Sequence, residues 1–325
     1  MFFPKVTFAH IDDDVIDDYV DMTFANLRAS QRFSVGFITA TFGFRFSVHT
    51  VVRFGVWKKN AMNQNAADNP LNSFRLDDRL IVVTGSSEGI GRAFAESFAR
   101  AGASVVLASR RREKLEEVRR AIEASRGNAE IVPADVSQVS EIRTLADIVR
   151  RLTQGDKRKI VLVNNAGLGL TKMAAEVTEQ DWNTIFETHA KGTFFCSQQI
   201  GALMIERGYG KIINMSSTWS VATEAGKSVY CSAKAAISQL TAALSTEWAP
   251  LGVRVNALAP TTTMTDSVQK MLSTNPKRAQ HLRSRIKLGK FAQPSDLVGT
   301  AIYLASRASD FVTGQTLFVD GGFTT

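Results

Sequence analysis

The feature that most constrains the fold is a regular alternation, beginning at residue 80, of short apolar runs with longer helical patterns. The apolar runs cover residues 80–83, 104–108, 130–134, 160–163, 211–215, 253–258 and 315–319. Helical patterns between them include residues 139–152, 179–207, 228–248 and 294–306. Strands that alternate with helices predict an α/β fold with a doubly wound parallel sheet, whose ligands bind at the carboxyl ends of the strands.

The first apolar run leads into a glycine-rich turn that opens a helix reaching about residue 100. The turn has the sequence Thr84-Gly85-Ser86-Ser87-Glu88-Gly89-Ile90-Gly91. Glycines let the backbone approach a pyrophosphate closely, and the N–H groups at the start of a helix complement its negative charge. Because the order is strand, glycine turn and helix, the sequence predicts a dinucleotide site here.

The end of the second run bears on the choice of dinucleotide. It continues as Ser109-Arg110-Arg111-Arg112, without an acidic residue. In dinucleotide folds an acid near this point binds the ribose 2′-hydroxyl, whereas an arginine accommodates a 2′-phosphate. The sequence therefore favours NADP(H) over NAD(H). Glu88 argues mildly against this preference, since it places negative charge near the same phosphate.

Tyr230 and Lys234 form a candidate catalytic pair. They lie four residues apart in a helical pattern, hence on one helix face and about one turn from each other. An ammonium group beside a phenol stabilises the phenolate and lowers the phenol's pKa from its usual value of about 10. Such a tyrosine can exchange a proton with a substrate. The pair alone is weak evidence, because ordinary helix surfaces often carry it.

Together, the motifs resemble the short-chain dehydrogenase/reductase family over residues 76–325. The resemblance rests on the glycine turn, on Asn164-Asn165-Ala166-Gly167, on Ser217 placed 13 residues before Tyr230, on Tyr230 and Lys234, and on Thr313-Gly314 and Val319-Asp320-Gly321-Gly322. It implies one catalytic domain with a Rossmann-type fold. The implied activity is that of an NAD(P)-dependent oxidoreductase acting on CH–OH groups, with a small carbonyl or alcohol compound as substrate.

The resemblance also implies roles for individual residues. Tyr230 would be the general acid/base, Ser217 would donate a hydrogen bond to the substrate carbonyl, and Lys234 would bind the nicotinamide ribose and lower the pKa of Tyr230. The implied cofactor contacts are Gly85, Ser86, Ser87, Glu88, Gly89 and Ile90 near the pyrophosphate, Arg110 at the 2′-phosphate, Asp135 and Val136 at the adenine, Asn165, Ala166 and Gly167 at the adenosine ribose, and Pro260, Thr261 and Thr263.

Two positions depart from the family pattern. His189 stands where the family usually has an asparagine that supports a water-linked proton relay to the lysine. Imidazole both donates and accepts hydrogen bonds, so it can keep the relay with a changed pH profile, or the change can mark slow or lost catalysis. Thr261 replaces the family's glycine after Pro260, and its backbone is less permissive than glycine.

The substrate remains open between three hypotheses. Residues 260–292 resemble xylulose reductases and related carbonyl reductases, which favours NADP(H)-dependent reduction of a small ketone or ketose, or the reverse oxidation. A second hypothesis is a 3-oxoacyl thioester (acyl-carrier-protein) reductase. A third is a dinucleotide-binding protein whose catalysis is impaired by His189, against which the intact Ser217, Tyr230 and Lys234 argue.

Residues 1–75 form an extension that differs from the rest of the chain. Half of the 20 phenylalanines lie before residue 60. Arg45, His49 and Arg53 interrupt its most apolar part, which argues against a transmembrane helix. An alternating apolar pattern predicts a strand, but an interfacial or targeting segment and a poorly structured extension remain alternatives. Residues 60–73 are polar and predict a linker.

Charge and cysteine content limit the partners. The formal net charge is +8, and residues 77–325 hold 31 Lys and Arg against 24 Asp and Glu. This balance suits anionic small molecules and an acidic carrier protein, and no basic run with interleaved aromatics predicts nucleic-acid binding. Cys196 and Cys231 fit no metal or redox spacing, so we expect no metal and a reducing, cytoplasmic setting. Cys231 is expected to be a small buried hydrophobe rather than a reactive thiol. The resemblance implies a homodimer or homotetramer.

Overall fold

The computed structural model describes residues 69–325, and Pro70–Thr325 form one compact unit. The predicted strand and most of the predicted linker in the extension lie outside the described residues. The compact unit begins a few residues before residue 76, with a 3-10 helix at Pro70–Phe74. The ring of Phe74 lies 6.3 Å from that of Tyr303, which ties this short helix to the rest of the unit.

The centre of the unit is a seven-stranded sheet in which each strand runs parallel to its neighbours. The strands are β1 (Arg79–Thr84), β2 (Ser104–Ser109), β3 (Asn128–Pro133), β4 (Lys159–Asn164), β5 (Gly210–Met215), β6 (Val253–Pro260) and β7 (Thr316–Val319). Their order is β3-β2-β1-β4-β5-β6-β7. The chain therefore winds outward from β1 to one edge and then from β4 to the other. This confirms the predicted doubly wound, Rossmann-type α/β fold, with its crevice between β1 and β4.

Helices cover both faces of the sheet. Within residues 69–325 they are α1 (Gly89–Arg100), α2 (Arg112–Ala124), α3 (Val139–Leu152), α4 (Glu179–Phe186), α5 (Gly192–Glu206), α6 (Ser228–Trp248), α7 (Asp266–Ser273), α8 (Pro276–Ser284) and α9 (Pro294–Ala305), with short 3-10 helices at Ala174–Glu176, Thr218–Ser220, Ala249–Leu251 and Arg307–Ser309. Helices α3 and α6 have the predicted bounds, whereas α2 is not among the predicted helices. None of the helices in this part of the chain is long and apolar enough to cross a membrane.

The sheet separates two apolar layers. All six residues of β1 are buried, as expected for a strand with helices on both faces. Ile81 and Val83 belong to the layer formed with α1, α2 and α9, and Leu80 and Val82 to the layer formed with α3, α5 and α6. This alternation follows from the two-residue period of a strand. Packing on both sides fixes the carboxyl ends of the strands, where the predicted motifs lie.

One predicted helix is divided. Residues 179–207 form α4, a π-helical turn at Glu187–Lys191, and α5. A π-helical turn accommodates an extra residue within a helix and occurs often at functional sites. His189 lies in the middle of this turn, and only 2% of it is exposed.

Candidate active site

The carboxyl ends of the central strands bring the predicted motifs together. The glycine turn follows β1, the Asn164–Gly167 segment follows β4, and Ser217 follows β5. Helix α6, which carries Tyr230 and Lys234, begins after the loop that follows Ser217. A crevice formed by neighbouring strand ends is where open parallel sheets bind their ligands.

The first turn requires glycine, because its backbone adopts positive φ angles and lies in close contact with other backbone atoms. Gly85 and Gly89 have φ angles of +64° and +57°, in the left-handed region that favours glycine. A Cβ atom on Gly85 would lie 2.8 Å from the Cα of Ala166, and one on Gly91 would lie 2.3 Å from the carbonyl oxygen of Gly85. The turn is therefore packed closely against the segment that follows β4.

Hydrogen bonds join these two segments. The Thr84 hydroxyl accepts from the backbone N–H groups of Asn165 and Ala166, both at 3.0 Å. The Asn165 amide donates to the carbonyl oxygens of Thr84 and Gly85, at 2.9 and 3.1 Å. The two predicted cofactor-binding segments thus form one rigid surface.

The guanidinium that lies against the glycine turn belongs to Arg111. Its Nη2 lies 3.0 Å from the Ser87 hydroxyl and 2.8 Å from Oε2 of Glu88. Glu88 makes no side-chain cap for α1, and this ion pair offsets the negative charge that argued against a 2′-phosphate. Arg110 instead extends toward solvent, with its side chain 74% exposed and its Nη1 3.9 Å from Oδ2 of Asp135. Arg110 was the residue of this run predicted at the 2′-phosphate, and Arg111 is the one whose guanidinium contacts the turn.

The other predicted cofactor residues vary in what they present to the crevice. Ser86 is fully buried, and its hydroxyl donates to the carbonyl oxygen of Ala108 at 3.4 Å, so its side chain serves the turn itself. Ile90 packs against the apolar layer of α1. The Asp135 carboxylate accepts from the backbone and hydroxyl of Ser137, at 2.9 and 2.8 Å. Val136 is 7% exposed and belongs to the other apolar layer.

The segment after β6 has ordinary backbone geometry. The Thr263 hydroxyl donates to the Thr261 carbonyl oxygen at 2.9 Å, and the Pro260 carbonyl oxygen lies 3.5 Å from the Ser217 hydroxyl. Arg126 is the non-glycine residue with positive φ among residues 69–325, so Thr261 is not strained in the way that a left-handed residue would be. The hydroxyl of Thr261 is buried without a partner in this part of the chain.

Ser217, Tyr230 and Lys234 meet between β5 and α6. The Ser217 hydroxyl accepts from the backbone N–H of Trp219 at 3.2 Å, and the Ser217 side chain is close enough to the Tyr230 phenol to lower its pKa by hydrogen bonding. The Lys234 ammonium donates to the carbonyl oxygen of Met215 at 2.6 Å and lies 5.7 Å from the centroid of the Tyr230 ring. The structure therefore brings together the three residues predicted to carry the reaction.

Burial dominates the electrostatics of this group. It raises the pKa of Tyr230 to about 12, while the hydrogen bond with Ser217 acts in the opposite direction. Burial also lowers the pKa of Lys234 to about 7. Desolvation of the phenolate is the largest influence on Tyr230 in the polypeptide without cofactor, so the expectation that Lys234 lowers the pKa of Tyr230 stays a prediction. At neutral pH Tyr230 is a protonated phenol, ready to donate.

His189 packs its ring against Tyr230 in an edge-to-face contact, with centroids 5.5 Å apart. Its Nε2 lies 2.8 Å from the carbonyl oxygen and 3.1 Å from the backbone N–H nitrogen of Leu168. Burial lowers the pKa of His189 to about 3, and the charge of Lys234 acts in the same direction. The imidazole is therefore neutral. It also packs directly against Gly167, where an added Cβ would lie 2.5 Å from the Cε1 atom of His189.

Neither cysteine has the electrostatics of a nucleophile. Burial raises the pKa of Cys196 to about 12, and it also raises the pKa of Cys231. Cys231 packs against the apolar cluster that includes Trp219 and Phe323. Both thiols have the setting of small apolar side chains.

Lys227 is a further side chain beside Tyr230 and was not among the residues predicted from the sequence. Its ammonium lies 5.4 Å from the centroid of the Tyr230 ring and donates to the carbonyl oxygen of Leu170 at 3.0 Å. A signal was present in the sequence, because residue 227 lies three positions before Tyr230 and immediately before the predicted helix 228–248.

These residues fit a bound dinucleotide. The glycine turn leaves no room for side chains between β1 and β4, α1 begins without a side-chain cap, and Arg111 places a guanidinium beside Ser87. Backbone N–H groups at such a helix start suit a pyrophosphate, and an arginine beside the turn suits a 2′-phosphate.

Comparison with known proteins agrees with this geometry. A family model described as "Enoyl-(Acyl carrier protein) reductase" matches residues 85–324. The NAD-dependent glycerol dehydrogenase of Listeria innocua serovar 6a is 35% identical over 77% of this chain and 96% of that protein. The 3-oxoacyl-(acyl-carrier-protein) reductase of Thermotoga maritima is 31% identical over 76% of this chain and 98% of that protein.

A solved structure shares the fold as well as the sequence. The gluconate 5-dehydrogenase from Burkholderia cenocepacia J2315, in complex with NADP and tartrate, is 35% identical, covers 79% of this chain and 99% of its own, and superposes with a TM-score of 0.74. The family model and these relatives confirm the family and the enzyme class that the motifs predicted. The chain belongs to the short-chain dehydrogenase/reductase family and is an NAD(P)-dependent oxidoreductase that acts on CH–OH groups.

Proposed function

We propose that the protein interconverts a ketone and a secondary alcohol in a small polyhydroxy compound, with NADP(H) as the preferred cofactor and Tyr230 as the general acid/base. The observation that carries this proposal is the arrangement of Ser217, Tyr230 and Lys234 between β5 and α6, where the Lys234 ammonium donates to the Met215 carbonyl and lies 5.7 Å from the centroid of the Tyr230 ring. The same group supports catalysis over the alternative of a binding protein without activity.

The side chains have distinct tasks in this proposal. The nicotinamide, when bound, supplies or accepts the hydride. In the reduction direction Tyr230 donates its proton to the carbonyl oxygen, and Ser217 supplies a second hydrogen bond where negative charge develops. In the oxidation direction Tyr230 accepts the proton as a phenolate. Lys234 stays fixed by the Met215 carbonyl, which keeps its amino group next to the phenol.

His189 positions the phenol rather than exchanging protons as a cation. Its pKa of about 3 keeps the ring neutral at physiological pH, and its edge-to-face contact restrains Tyr230. Its Nε2 lies within hydrogen-bond distance of both the N–H and the C=O of Leu168, while its Nδ1 is buried without a partner among residues 69–325, which favours the tautomer with the proton on Nε2. The histidine is thus compatible with an active site in which the family usually has asparagine.

The relatives support a polyhydroxy substrate. One is a glycerol dehydrogenase, and the solved relative is a gluconate 5-dehydrogenase that binds tartrate. Glycerol, gluconate and tartrate all carry several hydroxyl groups. The resemblance of residues 260–292 to xylulose reductases stays a prediction.

The test is turnover by purified protein with NADPH and with NADH, using a neutral ketose, a keto sugar acid, diacetyl and an acetoacetyl thioester. We expect NADPH-dependent reduction of at least one polyhydroxy ketone, with the corresponding alcohol as product. Binding of NADPH without turnover of any of these compounds would contradict the proposal.

A second candidate is 3-oxoacyl thioester reduction, which the relative from Thermotoga maritima favours. The excess of basic residues in 77–325 would suit an acidic carrier protein. The same experiment separates the two candidates. A kcat/KM for the acetoacetyl thioester that exceeds those for the ketoses at least tenfold would favour the second.

Self-association and a cytoplasmic setting are also proposals. Phe194 on α5 is 37% exposed, and an apolar side chain of this kind on a long helix is suited to packing against another copy of the chain. Light scattering after size exclusion should give the mass of a dimer or tetramer. A monomer at micromolar concentration would contradict the first of these proposals.

A further inference from the structure

Three residues lie together at the start of α6, where Lys227 is the N-cap residue and Tyr230 and Lys234 lie in the first two turns. Tyr230 and Lys234 are four residues apart on one helix face, and Lys227 precedes Tyr230 by three residues. The two ammonium groups lie 5.4 and 5.7 Å from the centroid of the same phenol ring. A second cation thus accompanies the proposed acid/base residue.

The two lysines have different surroundings. Lys234 is 5% exposed and donates to the Met215 carbonyl at the end of β5. Lys227 is half-buried and donates to the carbonyl oxygen of Leu170, in the loop that follows β4. An ammonium has three N–H donors, and within residues 69–325 Leu170 is the hydrogen-bond partner of this one. Lys227 therefore keeps donors for another molecule.

The nearest carboxylate is already paired. Oε2 of Glu224, three residues before Lys227, lies 2.9 Å from Nη2 of Arg278 on α8. Both side chains of this pair are largely buried, with 15% and 20% exposure. Burial and then the positive charge of Arg278 lower the pKa of Lys227, and the charge of Glu224 acts in the opposite direction. The group carries a net positive charge.

The covering helices bring further positive charge to the same region. The Arg285 guanidinium lies 4.3 Å from the ring centroid of Phe323 and 5.2 Å from that of Trp219. Trp219 and Phe323 belong to an apolar cluster with residues of α7 and α8, and Tyr230 packs against that cluster. A substrate between Tyr230 and these helices would leave water, and a charge is felt more strongly there.

We propose that Lys227 binds a carboxylate of the substrate, so that the preferred substrate is a polyhydroxy keto acid or its hydroxy acid rather than a neutral ketose or polyol. The assignment rests on the proposed function. The unused N–H donors of one ammonium match the two oxygens of a carboxylate, whereas a phosphate dianion would call for more charge than this group supplies. Lys227 is a specificity-determining residue, distinct from Lys234.

The test compares wild type, Lys227→Met and Lys270→Met. Lys270 on α7 is an exposed lysine and serves as the matched control. The readout is the ratio of kcat/KM for 5-keto-D-gluconate to that for the neutral ketose D-tagatose, with NADPH. We expect a wild-type ratio above about 10, a fall of at least tenfold in Lys227→Met through KM, and no change beyond twofold in Lys270→Met.

A second measurement does not depend on turnover. Tartrate binding to the protein saturated with NADPH, followed by calorimetry, should be detectable in wild type and Lys270→Met and at least tenfold weaker in Lys227→Met. It should also weaken as salt is raised. No measurable tartrate binding, or equal binding by the three proteins, would overturn the assignment.

The outcomes also separate this inference from the proposed function. Reduction of tagatose at a kcat/KM equal to or above that of the keto acid overturns the carboxylate site and leaves the proposed function intact. A preference for D-fructose 6-phosphate over both compounds overturns the choice of carboxylate. Tartrate binding that requires Lys227 in a protein that reduces none of these ketones supports the site while contradicting the proposed function.

Discussion

The two ends of the sheet each hold a buried lysine and a tyrosine, but they use them differently. At the amino end, the Lys211 ammonium lies 3.0 Å from the Asp310 carboxylate and 2.8 Å from the Ser309 hydroxyl. The phenol of Tyr209 donates to the same carboxylate at 2.7 Å. At the carboxyl end, the ion pairs of the described chain include no partner for Lys234, which has a backbone carbonyl instead.

The contrast separates structural charge from functional charge. Burial lowers the pKa of both lysines, to about 8 for Lys211 and about 7 for Lys234. Asp310 opposes that shift for Lys211, so the pair stays ionised at neutral pH. A buried charge without a counterion costs stability, and it persists where a ligand or a reaction uses it. The buried lysine at the carboxyl end therefore contributes less to the free energy of folding than the paired lysine at the amino end.

The largest expected effect compares the two tyrosines. Tyr230→Phe removes the proposed proton donor and should lower kcat/KM by about 10²–10⁴-fold. Tyr209→Phe leaves the carboxyl end untouched and should keep kcat within twofold. Steady-state kinetics with NADPH measures both, and NADPH binding by fluorescence shows that Tyr230→Phe remains folded. Comparable losses in the two variants would break the distinction between the two ends.

Replacing the two lysines should affect stability differently, with the larger loss at the amino end. Lys211→Met leaves Asp310 without its buried ammonium partner and should lower the free energy of unfolding by about 1–3 kcal/mol. Lys234→Met removes a buried charge that has no carboxylate partner, so it should cost less than about 0.5 kcal/mol or increase stability. Urea denaturation at pH 7 provides both values. A larger loss in Lys234→Met would show that its charge is structural.

The next effect concerns the cofactor. Arg111→Ala removes the guanidinium that contacts Ser87 and Glu88, and it leaves the Glu88 charge unpaired beside the glycine turn. We expect the KM for NADPH to rise about 10-fold or more while that for NADH changes less than threefold. Arg110→Ala is the matched control and should have the smaller effect, because its side chain is mostly exposed. The reverse order would restore the role expected for Arg110.

The smallest effect concerns His189. Its pKa is lowered to about 3 in the folded protein, so the unfolded chain binds more protons than the folded one between pH 3 and about 6.5. Stability is complete above about pH 6.5 and falls as the pH decreases through this range, by about 1 kcal/mol per pH unit for this group. His189→Asn should remove that part of the loss. Denaturation at pH 7.5 and pH 5.5 checks it, and parallel losses in both proteins would contradict it.

The sequence was informative wherever a pattern is local. The bounds of α3 and α6 follow from periodicity, and the stripe of Tyr230 and Lys234 follows from helix geometry. The glycine turn identified the dinucleotide crevice because its strand and helix are adjacent in the chain. These features depend on neighbours within about one helical turn or one short loop.

The features that the sequence did not show depend on tertiary contacts. Which arginine of the run reaches the glycine turn is decided by the direction in which α2 begins, and this placed Arg111 rather than Arg110 beside Ser87. The sign of the pKa shift at Tyr230 depends on desolvation by residues that are distant in the sequence. The cluster at the amino end joins Tyr209 to Asp310 across 101 residues, a distance at which no local pattern indicates contact.

The π-helical turn has a consequence for chain length. A capping box of Thr178 and Asp181 fixes where α4 begins, and the packing of Cys196 and Ile200 fixes the inner face of α5. Between these two anchors the polypeptide has one residue more than an uninterrupted rod would hold, and the surplus is taken up around His189. Deleting a single residue there would rotate the side chains that follow the deletion by about 100° around the helix axis. The number of residues in this stretch, and not only their identity, therefore decides which side chains face the substrate.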